Sequence, residues 1–175
     1  MQALWRVAQG IDALNEWVGR SIKWLVLLAT LISAGNALVR YGLGESSNAG
    51  LEIQWYLFGG LFLLGAGYTL KHNGHVRIDF IHGRLSPRAQ AWLEILGTVL
   101  FLLPFALLII WFSWPMFVSA WYSGEMSPDA GGLLRWPVKL LIPVGFGLLA
   151  LQGVSELIKN IAFLAGYGPA KERAA

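Results

Sequence analysis

The sequence predicts an all-α integral membrane protein, with four transmembrane helices preceded by an N-terminal amphipathic interfacial helix. Three observations carry that prediction. The 175 residues are 56% hydrophobic and 13% charged, with a mean hydropathy of +0.57, whereas soluble domains hold about a quarter charged residues. Four apolar runs each reach the roughly 20 residues that a helix needs to cross a hydrocarbon core of about 30 Å. The Lys and Arg residues fall mostly on alternate connections, the pattern that sets topology in membranes.

In residues 1–20, Leu4, Val7, Ile11, Leu14 and Val18 recur at helical spacing, while Gln2, Arg6, Gln9 and Glu16 lie mostly on another face. Such a helix lies in the interface plane with Trp5 and Trp17 as anchors. Packing of the same face on a partner protein is the alternative. A four-helix membrane domain follows over 21–166. Its first crossing is expected at about 21–41, centred on WLVLLATLISAG. No cleavage site of the A-x-A type follows that run, so it reads as a retained helix and not a signal peptide.

The second crossing is expected at about 51–70, centred on YLFGGLFLLGAGYTL. The third, about 89–121, and the fourth, about 137–166, exceed the minimum length, so they tilt, kink or project. Pro104 and Pro115 are placed to kink the third, because each removes a backbone donor and crowds the carbonyl one turn back. In LSPRAQAW, Ser86 is suited to the N-cap and Pro87 to the first helical position. Arg135-Trp136-Pro137 opens the fourth helix in a similar way. Residues 167–175 are left as a cytoplasmic tail.

Basic residues orient the crossings. Arg6, Arg20, Lys23, Lys71, Arg77, Arg84, Arg88, Lys159, Lys171 and Arg173 fall on one side; Arg40, Arg135 and Lys139 fall on the other, and together they are all 13 Lys and Arg. Both termini and the 71–88 loop are therefore expected in the cytoplasm. The same surplus accounts for the net charge of +3 and the pI near 9.4, so the basic balance gives no reason to expect a nucleic-acid partner.

Several chemistries are excluded. There is no cysteine, hence no disulfide, thiolate metal site or Fe–S cluster. The middles of the four predicted crossings carry no Asp, Glu, Lys, Arg or His. A charge there costs roughly 2.5–3.5 kcal/mol on insertion scales, and transporters retain such groups for function. No intramembrane histidine offers a haem ligand, and no Walker-type loop is present. Neutral polar residues do occur within the crossings, Ser33 and Asn36 in the first and Gln152 in the fourth; interhelical hydrogen bonds are their simplest use, with a substrate or ion contact as the alternative. Small residues offer close-packing surfaces, with Gly59 and Ala66, and Gly60 and Gly67, at heptad spacing, and Gly147, Ala150 and Gly153 in a stripe. Spacing leaves open whether these meet sister helices or another subunit.

The segment KHNGHVRIDFIHGRLSPR, Lys71 to Arg88, holds all three histidines. His72, His75 and Asp79 have i, i+3, i+7 spacing, which could present a zinc-type ligand set on one helix. Asn73-Gly74 is a turn signal that would break that helix, Arg77 adds positive charge beside it, and His82 has no obvious partner in sequence. A positive-inside loop near anionic headgroups is the favoured reading, and no metal site is assigned.

This stretch also carries a resemblance. GHVRIDFIHGRLSPRAQAW resembles the loop between the second and third helices of the small permease subunit of TRAP (tripartite ATP-independent periplasmic) transporters, the DctQ-like family. WYSGEMSP and LRWPVKLLIPVGFGLLALQGVSELIK resemble that family's periplasmic turn and fourth helix, and the likeness covers roughly Leu51 to Lys159. In the loop, Gly74, His75, Arg77, Asp79, Arg84 and Ser86 match the family pattern and are expected to hold the loop or a subunit or lipid contact.

The resemblance implies a large permease subunit that carries the substrate and sodium sites. It also implies a periplasmic substrate-binding protein that delivers an organic anion, usually a carboxylate. This chain would then be a fixed scaffold in the bacterial inner membrane, not an enzyme and without a cofactor of its own. Glu125, Ser127 and Asp129 would help dock the binding protein or form a solvated turn. A self-sufficient small exporter would need a membrane-embedded carboxylate, and a membrane enzyme would have to use the loop histidines.

Overall fold

The computed structural model describes residues 2–44, 48–75 and 85–167. The apolar runs fold into four helices, each long and apolar enough to cross a membrane: α1 Gln2–Leu43, α2 Asn48–Lys71, α3 Pro87–Ser123 and α4 Trp136–Leu164. The 167–175 tail lies outside the described residues beyond Tyr167, as do Arg77, Asp79 and Arg84.

The separate helix expected over 1–20 is instead the first half of α1, which runs unbroken for 42 residues. Nothing near residue 20 stops it. The Ser21 hydroxyl donates back to the Trp17 carbonyl at 2.8 Å within the helix, and Gly19 supplies the flat spot on which the Tyr68 ring lies. The apolar residues Leu4, Val7 and Leu14 are exposed, while Ala8 and Asn15 on the adjoining stripe of the helix are buried within the chain.

Chain ends of the helices follow local chemistry. Asn73 adopts φ 53° past the end of α2, with Gly74 N–H donating to Thr69 O at 2.8 Å and Asn73 N–H to Leu70 O at 3.1 Å. This is a Schellman-type stop with Asn at the left-handed position. Gly124, at φ 61°, ends α3 in the same region. Ser86 caps the start of α3, its hydroxyl accepting from Ala89 N–H at 3.3 Å, with Pro87 following.

Within α3, Thr98–Leu102 forms a π turn, closed by Leu103 N–H on Thr98 O. Pro104 follows directly and has no N–H to continue the α pattern. The wider turn inserts one residue into the helix. The buried positions show its effect: Ala106, Ser113 and Ala120 repeat every seven residues, whereas Ala91 lies fifteen before Ala106. The extra residue keeps Ala91 on the seam that a regular helix would turn away. The kink expected at Pro104 is thus expressed as a register shift.

Packing uses small residues. Buried positions on α1 are Ala8, Asn15, Ile22 and Ala29, a strict heptad, and those on α2 include Gly60 and Gly67. That period matches helices crossing at shallow angles. In lipid no hydrophobic drive pulls helices together, so close backbone approach and dispersion must do so. α4 is central and packs on all three other helices. Leu25 meets Gly60 and Asn15 meets Gly67, so α1 and α2 are antiparallel; Leu141 meets Gly60 and Leu148 meets Gly67, so α2 and α4 are parallel. α3 runs antiparallel to α4, as Phe105–Phe146 and Trp121–Trp136 ring contacts show.

Both ends of the assembly can now be defined. The start of α1, the end of α2 and the end of α4 share the termini end, and the 124–135 connection lies at the hairpin end. α2 has 24 residues, about 36 Å at 1.5 Å per residue. α1, α3 and α4 are longer and continue past Lys71, where Ala8 meets Ser155 and Glu94 meets Asn160 without α2.

Candidate functional site

Polar chemistry concentrates in two clusters, one at each end. At the termini end, Asp12 of α1 projects onto α4. Its carboxylate accepts from the Ser155 hydroxyl at 2.7 Å, from Gln152 Nε2 at 2.8 Å and from Lys159 Nζ at 3.1 Å. Lys159 also meets Glu156 at 2.5 Å. Asn15 donates to Gln152 Oε1 at 3.0 Å, and both side chains are fully buried. One turn on, the Glu16 carboxylate receives Arg20 Nε, Lys71 Nζ and His72 Nε2, each at 2.8 Å. Lys71 Nζ also donates to the Asp12 carbonyl at 3.2 Å. The His72 ring rests on Tyr68, with centroids 4.4 Å apart. The buried amides and half-buried charges persist here because nearly all have partners.

One atom departs from that rule. Asn15 Oδ1 is buried without a conventional partner among the described residues. It occupies the place a Cβ would take at Gly67, so only glycine fits there. The oxygen rests against the glycine Cα–H side, a weak contact of the kind common between close helices.

At the hairpin end the 124–135 connection folds back on itself. Ser127 N–H donates to Leu133 O and Arg135 N–H to Glu125 O, both at 2.9 Å, around a Met126–Leu134 bridge. One face of α2, at four-residue spacing, pins it. Asn48 Nδ2 reaches Ala130 O at 3.0 Å, Glu52 accepts the Ser127 hydroxyl and Leu133 N–H, and Tyr56 donates to Leu134 O at 3.0 Å. Glu52 is buried, and Lys139 pairs with Glu125. The three residues singled out here by sequence are all engaged within the chain: Ser127 and Glu125 as above, and Asp129 through its backbone, which donates to the Ser127 hydroxyl at 3.4 Å and accepts from Gly132 N–H at 2.9 Å, while the residue itself is exposed.

The small residues divide. Gly60 and Gly67 face α1 and α4, and Gly59 approaches Val138. A Cβ at Gly153 would come within 2.7 Å of Leu102 of α3, whereas one at Gly147 would meet nothing within 4 Å. The Gly147, Ala150, Gly153 stripe is therefore not one interface. Ala66 and Ala150 are half-buried. Gly145, which spacing did not single out, makes the closest approach to backbone, 2.6 Å from the Leu63 carbonyl oxygen to a Cβ placed there.

In the loop, Gly74 belongs to the helix stop, Ser86 to the α3 cap, and His75 is exposed; Arg77, Asp79 and Arg84 are outside the described residues. His72 faces Glu16 and the backbone turns at Asn73, so His72 and His75 do not share a helix face. Gln152 makes the interhelical hydrogen bonds expected of it. Asp12, Asn15, Ser155 and Asn160 went unremarked in the sequence. The available signal was a polar residue, Asn15, within the otherwise apolar heptad of α1.

Between the two clusters, the interhelical interior among the described residues holds no ionisable side chain. Lys23 is on α1 at this level and faces outward, whereas Arg20 turns back to Glu16 of the termini-end cluster.

The chain matches the family described as tripartite ATP-independent periplasmic transporters, DctQ component, over residues 29–163. It is 27% identical over 135 residues to the C4-dicarboxylate TRAP transporter small permease protein DctQ of Vibrio cholerae, covering 73% of this chain and 56% of that protein. It is 25% identical over 139 residues to the ectoine TRAP transporter small permease protein TeaB of Halomonas elongata, covering 78% of this chain and 69% of that protein. The chain thus spans little more than half the length of the first of these relatives. No solved structure matches it.

Proposed function

The chain belongs to the DctQ-component family of tripartite ATP-independent periplasmic transporters, multi-pass proteins of the bacterial inner membrane, and we propose that it is the scaffold subunit of a sodium-coupled, binding-protein-dependent importer of an organic anion. Family members are transporter components and not enzymes. The family implies a tripartite system with a large permease and a substrate-binding protein. On our reading this chain pairs with the large permease and stabilises it, and the sodium and substrate sites lie in that partner.

One observation carries the scaffold reading. The polar groups form two end clusters whose members, Asn15 Oδ1 apart, are hydrogen-bonded or ion-paired within the chain, and among the described residues the interhelical interior between them holds no ionisable group to bind an ion or substrate in transit. Long exposed apolar faces remain, among them Phe101, Phe105, Trp111 and Phe112 of α3. They suit lipid or a large membrane partner.

The relatives are named for C4-dicarboxylate and for ectoine. A carboxylate substrate is the class we infer, with its identity set outside this chain. The termini end faces the cytoplasm on the Lys/Arg distribution. The pinned hairpin then faces the periplasm, where Asp129, with Glu125 and Ser127 behind it, contributes to docking of the binding protein.

The test is reconstitution. This chain alone in liposomes gives no sodium-driven uptake, and uptake appears when the large permease and binding protein are added. Uptake by this chain alone refutes the proposal. So does full activity of the large permease without it.

A further inference from the structure

We propose that the outward face of α1 around Trp17, Arg20, Lys23 and Trp24 binds the headgroup of an anionic phospholipid in the leaflet at the termini end. These four residues occupy adjoining positions on the helix surface, opposite the buried seam of Asn15 and Ile22. Trp17 is 68% exposed and Trp24 59%, and the Arg20 side chain is 72% exposed. Lys23 Nζ lies 5.7 Å from the centre of the Trp24 ring, a cation–π contact that holds the ammonium beside the indole. Lys23 has no acidic partner among the described residues. Glu16 is the nearest acid on this face, and it is shared by Arg20, Lys71 and His72. With Lys23 the group carries three fixed positive charges against one carboxylate.

Depth turns that excess into a binding demand. Helix packing places Ile22 against Gly65 and Leu25 against Gly60, so Lys23 is level with the apolar middle of α2. Glu16 pairs with Lys71 at the end of α2. Lys23 is seven residues deeper, about 10 Å along the axis. An outward-facing ammonium at that depth must reach back toward the interface or draw an anion to it. Arg20 stands one turn nearer the interface, so the two cations form a ladder for a phosphate. The flanking tryptophans suit the boundary between acyl chains and headgroups, where amphipathic rings settle. A lipid supplies the anion and the chains at once, which is why it fits better than an acidic side chain from another protein.

Native mass spectrometry tests this on the full chain, purified in detergent and incubated with equal amounts of phosphatidylglycerol and phosphatidylcholine. Two basic residues near one headgroup predict a preference of about tenfold or more for phosphatidylglycerol. In R20Q/K23Q that preference falls to near parity, while R40Q, at the other end of α1, retains it. Circular dichroism of each variant verifies retained helix. No preference in the wild type, or an unchanged preference in R20Q/K23Q, overturns the proposal. So does a wild type without preference whose R20Q/K23Q variant no longer copurifies with a membrane partner, since that face would then belong to a protein.

Discussion

Gly145→Ala should destabilise this protein where Gly147→Ala, two residues away on the same helix, should not. A Cβ at Gly145 would sit 2.6 Å from the Leu63 carbonyl oxygen and 2.8 Å from the Leu63 carbonyl carbon and Cβ. Real Cβ contacts lie beyond about 3.4 Å, so α2 and α4 would have to part by nearly 0.8 Å at this point. The obstacle is backbone and cannot rotate aside. Overpacking of this kind costs about 1–3 kcal/mol. Both substitutions also gain helix propensity, about 1 kcal/mol over glycine, and that gain cancels when the two variants are compared. The difference between them should therefore be about 1–3 kcal/mol. Reversible unfolding in mixed micelles, followed by circular dichroism, reads it directly. Equal stability of the two variants would refute the claim that α2 and α4 meet backbone to backbone at Gly145.

Asp12→Ala strips Ser155, Gln152 and Lys159 of one shared acceptor and should cost about 2–3 kcal/mol in the same assay; adding Lys159→Ala should cost less than the sum of the single changes, measured as a double-mutant cycle. Gly67→Ala should be tolerated only with Asn15→Ala, because the Asn15 amide occupies the space, and paired thermal melts would show the rescue. Glu52→Gln should loosen the 124–135 hairpin with little effect on the membrane helices, seen as faster limited proteolysis between Met126 and Leu134 at unchanged helix content. Deleting Leu100 together with Pro104→Ala should leave a folded protein, since removing the extra residue of the π turn returns Ala91 and Ala106 to heptad spacing. Deleting Ile109 should not, because it shortens the Ala106–Ser113 interval to six and turns Ser113 and Ala120 off the seam; size-exclusion profiles in detergent separate the two.

Local patterns decided what could be read in advance. The apolar runs, Ser86 and Pro87 before α3, and Asn73-Gly74 after α2 act through neighbours in sequence, and each was legible. The continuity of α1 was not, because an amphipathic start and an apolar sequel look like two elements until α4 is present for Ala8 and Asp12 to pack on. The π turn was hidden for a similar reason: Pro104 announces a disturbance, but the seam on α4 selects its form. Gly145 and Gly147 are indistinguishable by spacing, and only the path of α2 separates them. Lys23 looked like the end of a crossing, and the packing register placed it deeper.

By itself, then, the sequence determined that this chain lives in a membrane, how many times it can cross, and that the middles of its crossings carry no ionisable side chain. Those properties follow from transfer free energies, which each segment carries alone. Only the tertiary structure decided which polar residues meet: Asp12 with Lys159, Glu16 with Lys71, and Glu52 with the hairpin. These partners lie 55 to 147 residues apart. Their pairing depends on helix register, and register is set by where small side chains let backbones touch.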